Sequence, residues 1–194
     1  MKLENIDKSI QKQDILQDIS LEISPQKLTA FIGPNGAGKS TLLAKLQQLL
    51  SAKREISLGF MPQDYHKKLQ LDLSPVAYLS QTGEKEELQK IQSHLASLNF
   101  SYPEMHHQIR SLSGGQQGKL LLLDLVLRKP NFLLLDEPTR NFSPTSQPEI
   151  RKLFASYPGG LITVSHDRRF LKEVCTSIYR LTENGLEVVD LQDL

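Results

Sequence analysis

A glycine-rich loop between an apolar strand and a helix constrains this sequence more than any other feature. The apolar run 28–32 predicts a strand, and the run 41–46 has the pattern of a helix. The residues that join them fit GxxxxGK[ST], in which backbone N–H groups surround phosphate oxygens, a lysine adds a positive charge and a hydroxyl reaches Mg²⁺. The sequence therefore predicts a nucleotide-binding loop made of Gly33, Pro34, Asn35, Gly36, Ala37, Gly38, Lys39, Ser40 and Thr41.

Composition limits the classes of partner. The chain has 194 residues and a formal net charge of +1, so no global charge points to a nucleic acid or a membrane surface, and we expect no DNA partner. The single cysteine, Cys175, has apolar neighbours, which favours a buried packing residue over a reactive thiol. No apolar run approaches the roughly 20 residues of a membrane-spanning helix. We therefore expect a cytoplasmic protein, either free or peripheral on the inner face of a membrane.

Strand-like and helix-like runs follow one another along the chain. Strands are expected at 3–6 and 19–23, and the continuous apolar runs 132–135 and 161–164 are typical of buried parallel strands. Asn184-Gly185 lies between two apolar runs and predicts a hairpin. The pattern predicts an α/β fold of the P-loop NTPase class, with a mostly parallel central sheet and a small antiparallel β region.

The middle of the chain has a different, helical pattern. Ser74-Pro75 has the form of a helix start, and apolar residues then recur at helical spacing at Leu88, Ile91, Leu95 and Leu98. We expect a helical subdomain at about 72–118, inserted into a single domain that covers 1–194.

A capping box opens the next helix. Ser113 and Gln116 stand three residues apart, the spacing at which both side chains satisfy backbone donors at a helix N-terminus. The following run, 117–128, is apolar on nearly every side, which predicts a buried helix.

Polar residues follow the predicted strands at one edge of the sheet. Asp136 and Glu137 come directly after the run 132–135; Asp136 is expected to hold Mg²⁺, and Glu137 to polarise an attacking water. His166 follows the run 161–164 and should lie at the same edge, within reach of a γ-phosphate. Gln63 ends another short strand and offers a carbonyl oxygen to complete the Mg²⁺ shell. The remaining histidines, His66, His94, His106 and His107, receive no role.

Taken together, these stretches resemble the ATP-binding cassette (ABC) ATPases over essentially the full chain. GPNGAGKST resembles the Walker A motif, FMPQ the Q-loop, LSGGQ at 112–116 the signature, FLLLDEPT the Walker B motif and VSHD the switch-histidine region. The resemblance implies an ATPase with ATP and Mg²⁺ as cofactors, working as a sandwich dimer of two cassettes. In such a dimer the γ-phosphate is contacted in trans by the signature residues Ser113, Gly114, Gly115 and Gln116. A homodimer is the default expectation.

Within that family the details look most like the second cassette of ABC-F proteins, which act on ribosomes. The stretches DEPTRNFSP and VSHDRRFL carry this likeness, although the long linker of that group has no counterpart here. Two positions depart from the common pattern: Ile10 falls where an aromatic residue usually stacks on adenine, and Ser143 falls where the D-loop usually has aspartate.

The biological output stays open between three classes at this point. The chain is either the ATP-binding subunit of a transporter whose permease is a separate chain, or an ABC-F-like ribosome-associated factor, or a regulatory ATP-binding module with low turnover. A motif set fixes the chemistry of a site more firmly than it fixes a biological role.

Overall fold

The computed structural model divides the chain into two compact units. The first comprises Met1–Gln63, Pro130–Arg140 and Arg151–Leu194, and the second comprises Asp64–Lys129 and Asn141–Ile150. The structure describes residues 2–10, 13–22, 24, 27–65, 68–140, 142–144, 146–182 and 185–193.

The first unit contains two sheets. Within the described residues the strands are β1 (Lys2–Ile10), β2 (Gln13–Glu22), β3 (Leu28–Ile32), β4 (Leu58–Met61), β5 (Phe132–Asp136), β6 (Gly160–Val164), β7 (Ser177–Thr182) and β8 (Gly185–Val189). The larger sheet has the order β4-β5-β6-β3-β7-β8, in which only the last pair is antiparallel. This mostly parallel sheet confirms the predicted α/β class. Since β3, β5 and β6 are adjacent and parallel, their carboxyl ends meet at one edge.

The smaller sheet is an antiparallel pair of β1 and β2. Both strands are longer than the expected runs 3–6 and 19–23, since β1 extends to Ile10 and β2 begins at Gln13. Strand pairing along the hairpin extends the regular backbone beyond the apolar residues on which the prediction rested. Ile23, at the end of the predicted strand, lies outside the described residues.

Helix α1 (Lys39–Ser51) packs on the larger sheet through one apolar face. Leu42, Leu46 and Leu50 are fully buried and join a core cluster that includes Phe31 of β3 and Leu134 of β5. Each such leucine contributes about 1.5–3 kcal/mol by leaving water. The packing fixes the start of α1, and with it the phosphate loop, against the carboxyl end of β3.

The second unit is helical. It contains α2 (Pro75–Leu79), α3 (Lys85–Ser97), α4 (Tyr102–His106), a short 3₁₀ turn (Ile109–Ser111) and α5 (Gly114–Leu127). Ser74 caps α2 as predicted, because its hydroxyl accepts a hydrogen bond from the Ala77 N–H at 3.3 Å. Helix α5 begins three residues earlier than the apolar pattern indicated, at the capping box. Five leucines of that pattern are buried as expected, and Leu127 is half-buried; the buried ones are Leu120, Leu121, Leu122, Leu123 and Leu125.

Two further α-helices lie among the described residues, α6 (Gln147–Ala155) and α7 (Arg168–Val174), and a short 3₁₀ turn follows β8 at Leu191–Asp193. Asp167 caps α7 by accepting hydrogen bonds from the N–H groups of Arg169 and Phe170. Across the described segments, no helix has both the length and the apolar character needed to cross a membrane.

Candidate functional site

The predicted phosphate loop joins β3 to α1 in a conformation that requires glycine. Gly38 is the residue before the first turn of α1 and has φ of 92°, a left-handed conformation that other residues adopt at a cost. A Cβ on Gly33 would lie 2.7 Å from the carbonyl oxygen of Leu181, closer than real Cβ atoms approach. Since Gly33 has no room for a side chain and the φ of Gly38 makes one costly, glycine allows the backbone to turn tightly at the N-terminus of a 13-residue helix, the arrangement that binds phosphate.

The Lys39 side chain is buried within this loop. Its Nζ donates hydrogen bonds to the carbonyl oxygens of Gly33 at 2.9 Å and Pro34 at 2.7 Å. An ammonium group has three donors, so one remains for a phosphate oxygen. The loop carbonyls therefore hold the charge in place before any ligand arrives.

Asp136 ends β5 beside the loop, and its side chain is buried. Burial raises the pKa of Asp136 above its ordinary value, while a hydrogen bond with the Ser40 hydroxyl and the positive charges of Lys39 and Arg140 oppose that rise. A serine hydroxyl and a carboxylate in contact form a pair of hard oxygen donors. Such donors are the ones that Mg²⁺ prefers.

Glu137 and His166 come together at the same sheet edge. The Glu137 N–H donates to the carbonyl oxygen of Val164 at 2.9 Å, which ties the end of β5 to the end of β6. His166 Nε2 then lies 3.5 Å from Glu137 Oε1. Burial raises the pKa of Glu137, and the adjacent His166 opposes that rise. Glu137 has φ of 51°, a left-handed conformation that is uncommon outside glycine and clusters at functional sites.

A cleft of about 530 Å³ brings most of the predicted site residues together in the first unit. Two residues of its lining, Arg140 and Val164, are absent from the sequence-based set, and Val164 contributes as the end of β6. Arg140 lies three residues after Glu137, but nothing in the sequence around it indicated a site residue. The predicted residues that line the cleft are Asn35, Gly36, Gly38, Lys39, Ser40, Thr41, Gln63, Asp136, Glu137 and His166.

Three predicted loop residues contribute through the backbone instead. Gly33 and Pro34 accept the hydrogen bonds of Lys39, and the Ala37 N–H donates to the carbonyl oxygen of Pro34 at 3.3 Å. They shape the loop without lining the cleft.

The predicted signature residues belong to the second unit and form a separate feature. Ser113 Oγ accepts from the Gln116 N–H at 3.3 Å, and Gln116 Oε1 accepts from the Ser113 N–H at 2.9 Å, which confirms the capping box. Gly114 and Gly115 form the first turn of α5. The Tyr65 hydroxyl donates to the carbonyl oxygen of Gly114 at 2.8 Å, a contact that no sequence pattern predicted.

Further predictions from the sequence concern single residues. Cys175 is buried, as predicted, and burial raises its pKa to about 12. Ser143 Oγ lies 2.9 Å from Ser146 Oγ. His66 and the side chain of Ile10 lie outside the described residues, so the adenine-stacking position is not part of the described site.

Comparisons with known proteins agree on one kind of domain. The family model described as "ABC transporter" matches residues 16–140. The Probable ATP-binding protein YheS of Escherichia coli K12 is 30% identical over 197 residues, which cover 98% of this chain and 31% of that protein. The Zinc import ATP-binding protein ZnuC of Haemophilus influenzae is 34% identical, covering 86% of this chain and 66% of that protein. The chain thus spans about a third of the length of YheS.

Solved structures share the fold. The ATP-binding cassette MJ0796, solved as a dimer in a post-hydrolysis state with ADP and Pi, has a TM-score of 0.80 at 20% identity, with 98% of each chain covered. A structure described as the ATP binding subunit of an ABC transporter has a TM-score of 0.79 at 17% identity, covering 99% of this chain and 90% of that one.

Proposed function

Because the chain belongs to the ABC transporter family of ATPase cassettes, we propose that its cleft binds ATP and that a dimer of cassettes hydrolyses it. One observation carries the proposal: the phosphate loop, the Ser40–Asp136 pair and the Glu137–His166 pair line a single cleft. Phosphoryl transfer needs little covalent chemistry from a protein and depends on positioning and charge stabilisation, which these groups can supply.

Glu137 is the proposed base toward the attacking water. Its carboxylate stands at the end of a buried strand, and its side chain is only 14% exposed, which holds it in one position. Removal of bulk water strengthens the interaction of a carboxylate with a water proton. His166, 53% exposed after the neighbouring strand β6, is the proposed contact to the terminal phosphate.

Ser40, Asp136 and Gln63 are the proposed Mg²⁺ ligands. The hydroxyl–carboxylate contact of Ser40 with Asp136 supplies two oxygens beside the loop, and Gln63 lines the same cleft with an amide oxygen to offer. This oxygen donor set fits a small hard cation. When bound, Mg²⁺ neutralises charge on the terminal phosphates.

A second cassette is the proposed partner. The chain has one phosphate loop and one signature, and Ser113, Gly114, Gly115 and Gln116 present the capped N-terminus of α5, a helix end that favours anions. In a homodimer, these residues of one copy would contact the terminal phosphate bound to the other. The dimeric form in which MJ0796 was solved supports this assembly.

The chain is proposed to be one cassette, with the helical region of about 72–118 inserted into its α/β domain. Its closest motif likeness is to the second cassette of ABC-F proteins, on the strength of DEPTRNFSP and VSHDRRFL. The match to YheS covers 98% of this chain but only 31% of YheS. These shares fit a single cassette that matches one part of a larger relative.

The proposed biological role is that of the ATP-binding subunit of a transporter, cytoplasmic and peripheral on the inner face of a membrane, with a separate permease. The match to a zinc import ATP-binding protein supports this role without naming a cargo for this chain. An ABC-F-like ribosome-associated role is the second candidate, favoured by the two stretches named above. A regulatory module with low turnover is the third, which Ser143 at the usual aspartate position leaves open.

Fractionation of host lysate separates these roles. The Glu137→Gln variant, which should retain ATP, is expressed in the native host and the lysate is fractionated with ATP and with ADP. ATP-dependent recovery with membranes supports the transporter role, and recovery with ribosomes replaces it with the ABC-F-like role. A soluble distribution under both conditions contradicts both and favours the regulatory role.

A further inference from the structure

The turn after β5 directs an arginine toward the cleft. The Arg140 N–H donates to the carbonyl oxygen of Glu137 at 3.2 Å, which closes a tight turn that begins at the left-handed Glu137. The preceding residue, Thr139, is only 3% exposed, whereas Arg140 is exposed. The alternation places the Arg140 side chain on the open side of the turn, where it lines the same cleft as the phosphate loop and Glu137.

The guanidinium of Arg140 is not engaged by an ion pair with any residue that the structure describes. It is nonetheless close enough to act electrostatically on the carboxylates of both Asp136 and Glu137. A guanidinium has five donors in a planar fork that matches phosphate oxygens, so a cleft-lining arginine without an ion pair has unused binding capacity.

The charges that line the cleft indicate what the unused donors of Arg140 bind. Among the lining residues the fixed charges are the carboxylates of Asp136 and Glu137, the ammonium of Lys39 and the guanidinium of Arg140. The Lys39 ammonium already has two acceptors in the loop. Without Arg140, the two carboxylates would outnumber the protein's own cations in the lining, and the charge of a bound Mg²⁺ would have to offset both the carboxylates and the triphosphate.

We propose that Arg140 contacts the terminal phosphate of the bound nucleotide and thereby makes the cleft selective for a triphosphate over a diphosphate. This inference rests on the proposed function, because it requires that the cleft bind ATP. It adds to that function a residue outside the five motifs and a reason for nucleotide release, since loss of the terminal phosphate would also remove the Arg140 contact. Charge-assisted hydrogen bonds of this kind are about twice as strong as neutral ones.

Titration of matched variants with two nucleotides tests the contact. The purified chain is titrated with Mg²⁺–AMP-PNP and with Mg²⁺–ADP by calorimetry, at concentrations where light scattering shows monomer. The variants are Arg140→Ala, Arg140→Lys and the control Arg54→Ala. Arg54 is exposed in the turn between α1 and β4, at the edge where β4 begins, opposite the edge at which the cleft residues follow their strands. Thermal unfolding of each variant checks that folding is intact.

Arg140→Ala is expected to weaken AMP-PNP binding by about tenfold or more and ADP binding by less than about twofold, the loss expected for one charged hydrogen-bonding group. Arg140→Lys should bind AMP-PNP more tightly than Arg140→Ala because it keeps the charge, and Arg54→Ala should match the wild type.

Two results would overturn the inference on different grounds. If the wild type binds AMP-PNP and Arg140→Ala keeps the same ratio of AMP-PNP to ADP affinity, the role of Arg140 is wrong while the proposed function stands. If the wild type binds neither nucleotide, the proposed function fails and the Arg140 contact fails with it.

Discussion

The Glu137 carboxylate lies 3.5 Å from His166 Nε2, although 29 residues separate the two in the chain. The contact exists because β5 and β6 are adjacent and parallel, and because the Glu137 N–H bonds to the carbonyl oxygen of Val164 at the end of β6. Two strand ends thus place a carboxylate and an imidazole on one wall of the cleft. Their separate roles can be measured.

Glu137→Gln should bind ATP but hydrolyse it on the order of a hundredfold or more slowly, because an amide cannot accept the proton of the attacking water. The amide keeps the size of the side chain, so nucleotide affinity should stay within about twofold of the wild type. Phosphate release under single-turnover conditions measures the first effect and calorimetry the second. Turnover at the wild-type rate would remove Glu137 from the catalytic role.

His166→Ala should lower the turnover number with little change in ATP affinity, because an exposed imidazole at a strand end contributes to the reacting phosphate more than to ground-state binding. Steady-state kinetics over a range of ATP concentrations separates kcat from KM. His94→Ala is the matched control, since His94 is exposed on α3 and lines no part of the cleft. Equal effects of the two variants would contradict a specific role for His166.

The central features of the site were predictable because they are local. The loop 33–41 carries its conformation in its own glycines, and Asp136-Glu137 follows a run of apolar residues that is typical of a buried parallel strand. Parallel strands bring their ends together whatever the loops between them do, so His166 could be expected near Glu137.

Other features depend on tertiary contacts and have no recognisable pattern in the sequence. Arg140 is an exposed arginine like many others until the left-handed turn at Glu137 directs it to the cleft. The bond from the Tyr65 hydroxyl to the Gly114 carbonyl joins residues 49 positions apart in the second unit. The strands β1 and β2 are longer than predicted because they pair with each other along the hairpin. The alternation of apolar residues in the sequence does not indicate this pairing.

Gly118→Ala should destabilise the second unit, because overpacking a filled site costs about 1–3 kcal/mol. A Cβ there would lie 2.7 Å from the Phe142 ring and 2.8 Å from the Tyr65 hydroxyl, and both neighbours are buried. This cost should exceed the gain of about 1 kcal/mol from placing alanine in a helix. Urea denaturation followed by circular dichroism measures the change.

Gly83→Ala separates crowding from backbone strain. A Cβ on Gly83 would meet no atom within 4 Å, and only its φ of 75° opposes the substitution. We expect a loss of about 1 kcal/mol there. A Gly118→Ala variant as stable as the wild type would show that the space around α5 is not closed.

Cys175 should react with Ellman's reagent at pH 8 only after unfolding, because burial raises the pKa of its thiol to about 12. The thiol is the only one in the chain, so the signal is unambiguous, and Cys175→Ala is the blank. Because its pKa is higher in the folded state than the ordinary value of 9.0, the free energy of unfolding should fall as pH rises from about 9 toward 12. Rapid reaction of the folded protein would mean that the thiol is accessible.

The most direct test of the account is ATP binding and hydrolysis by the purified chain beside its Lys39→Ala variant. Lys53→Ala, an exposed lysine after α1, is the control for a lost positive charge. The account predicts that the wild type and Lys53→Ala bind Mg²⁺–ATP and release phosphate. Lys39→Ala should do neither measurably, because the ammonium held by Gly33 and Pro34 is the charge proposed to receive the phosphates. Unchanged ATP affinity in Lys39→Ala would contradict the assignment of the phosphate loop, and with it the proposed function.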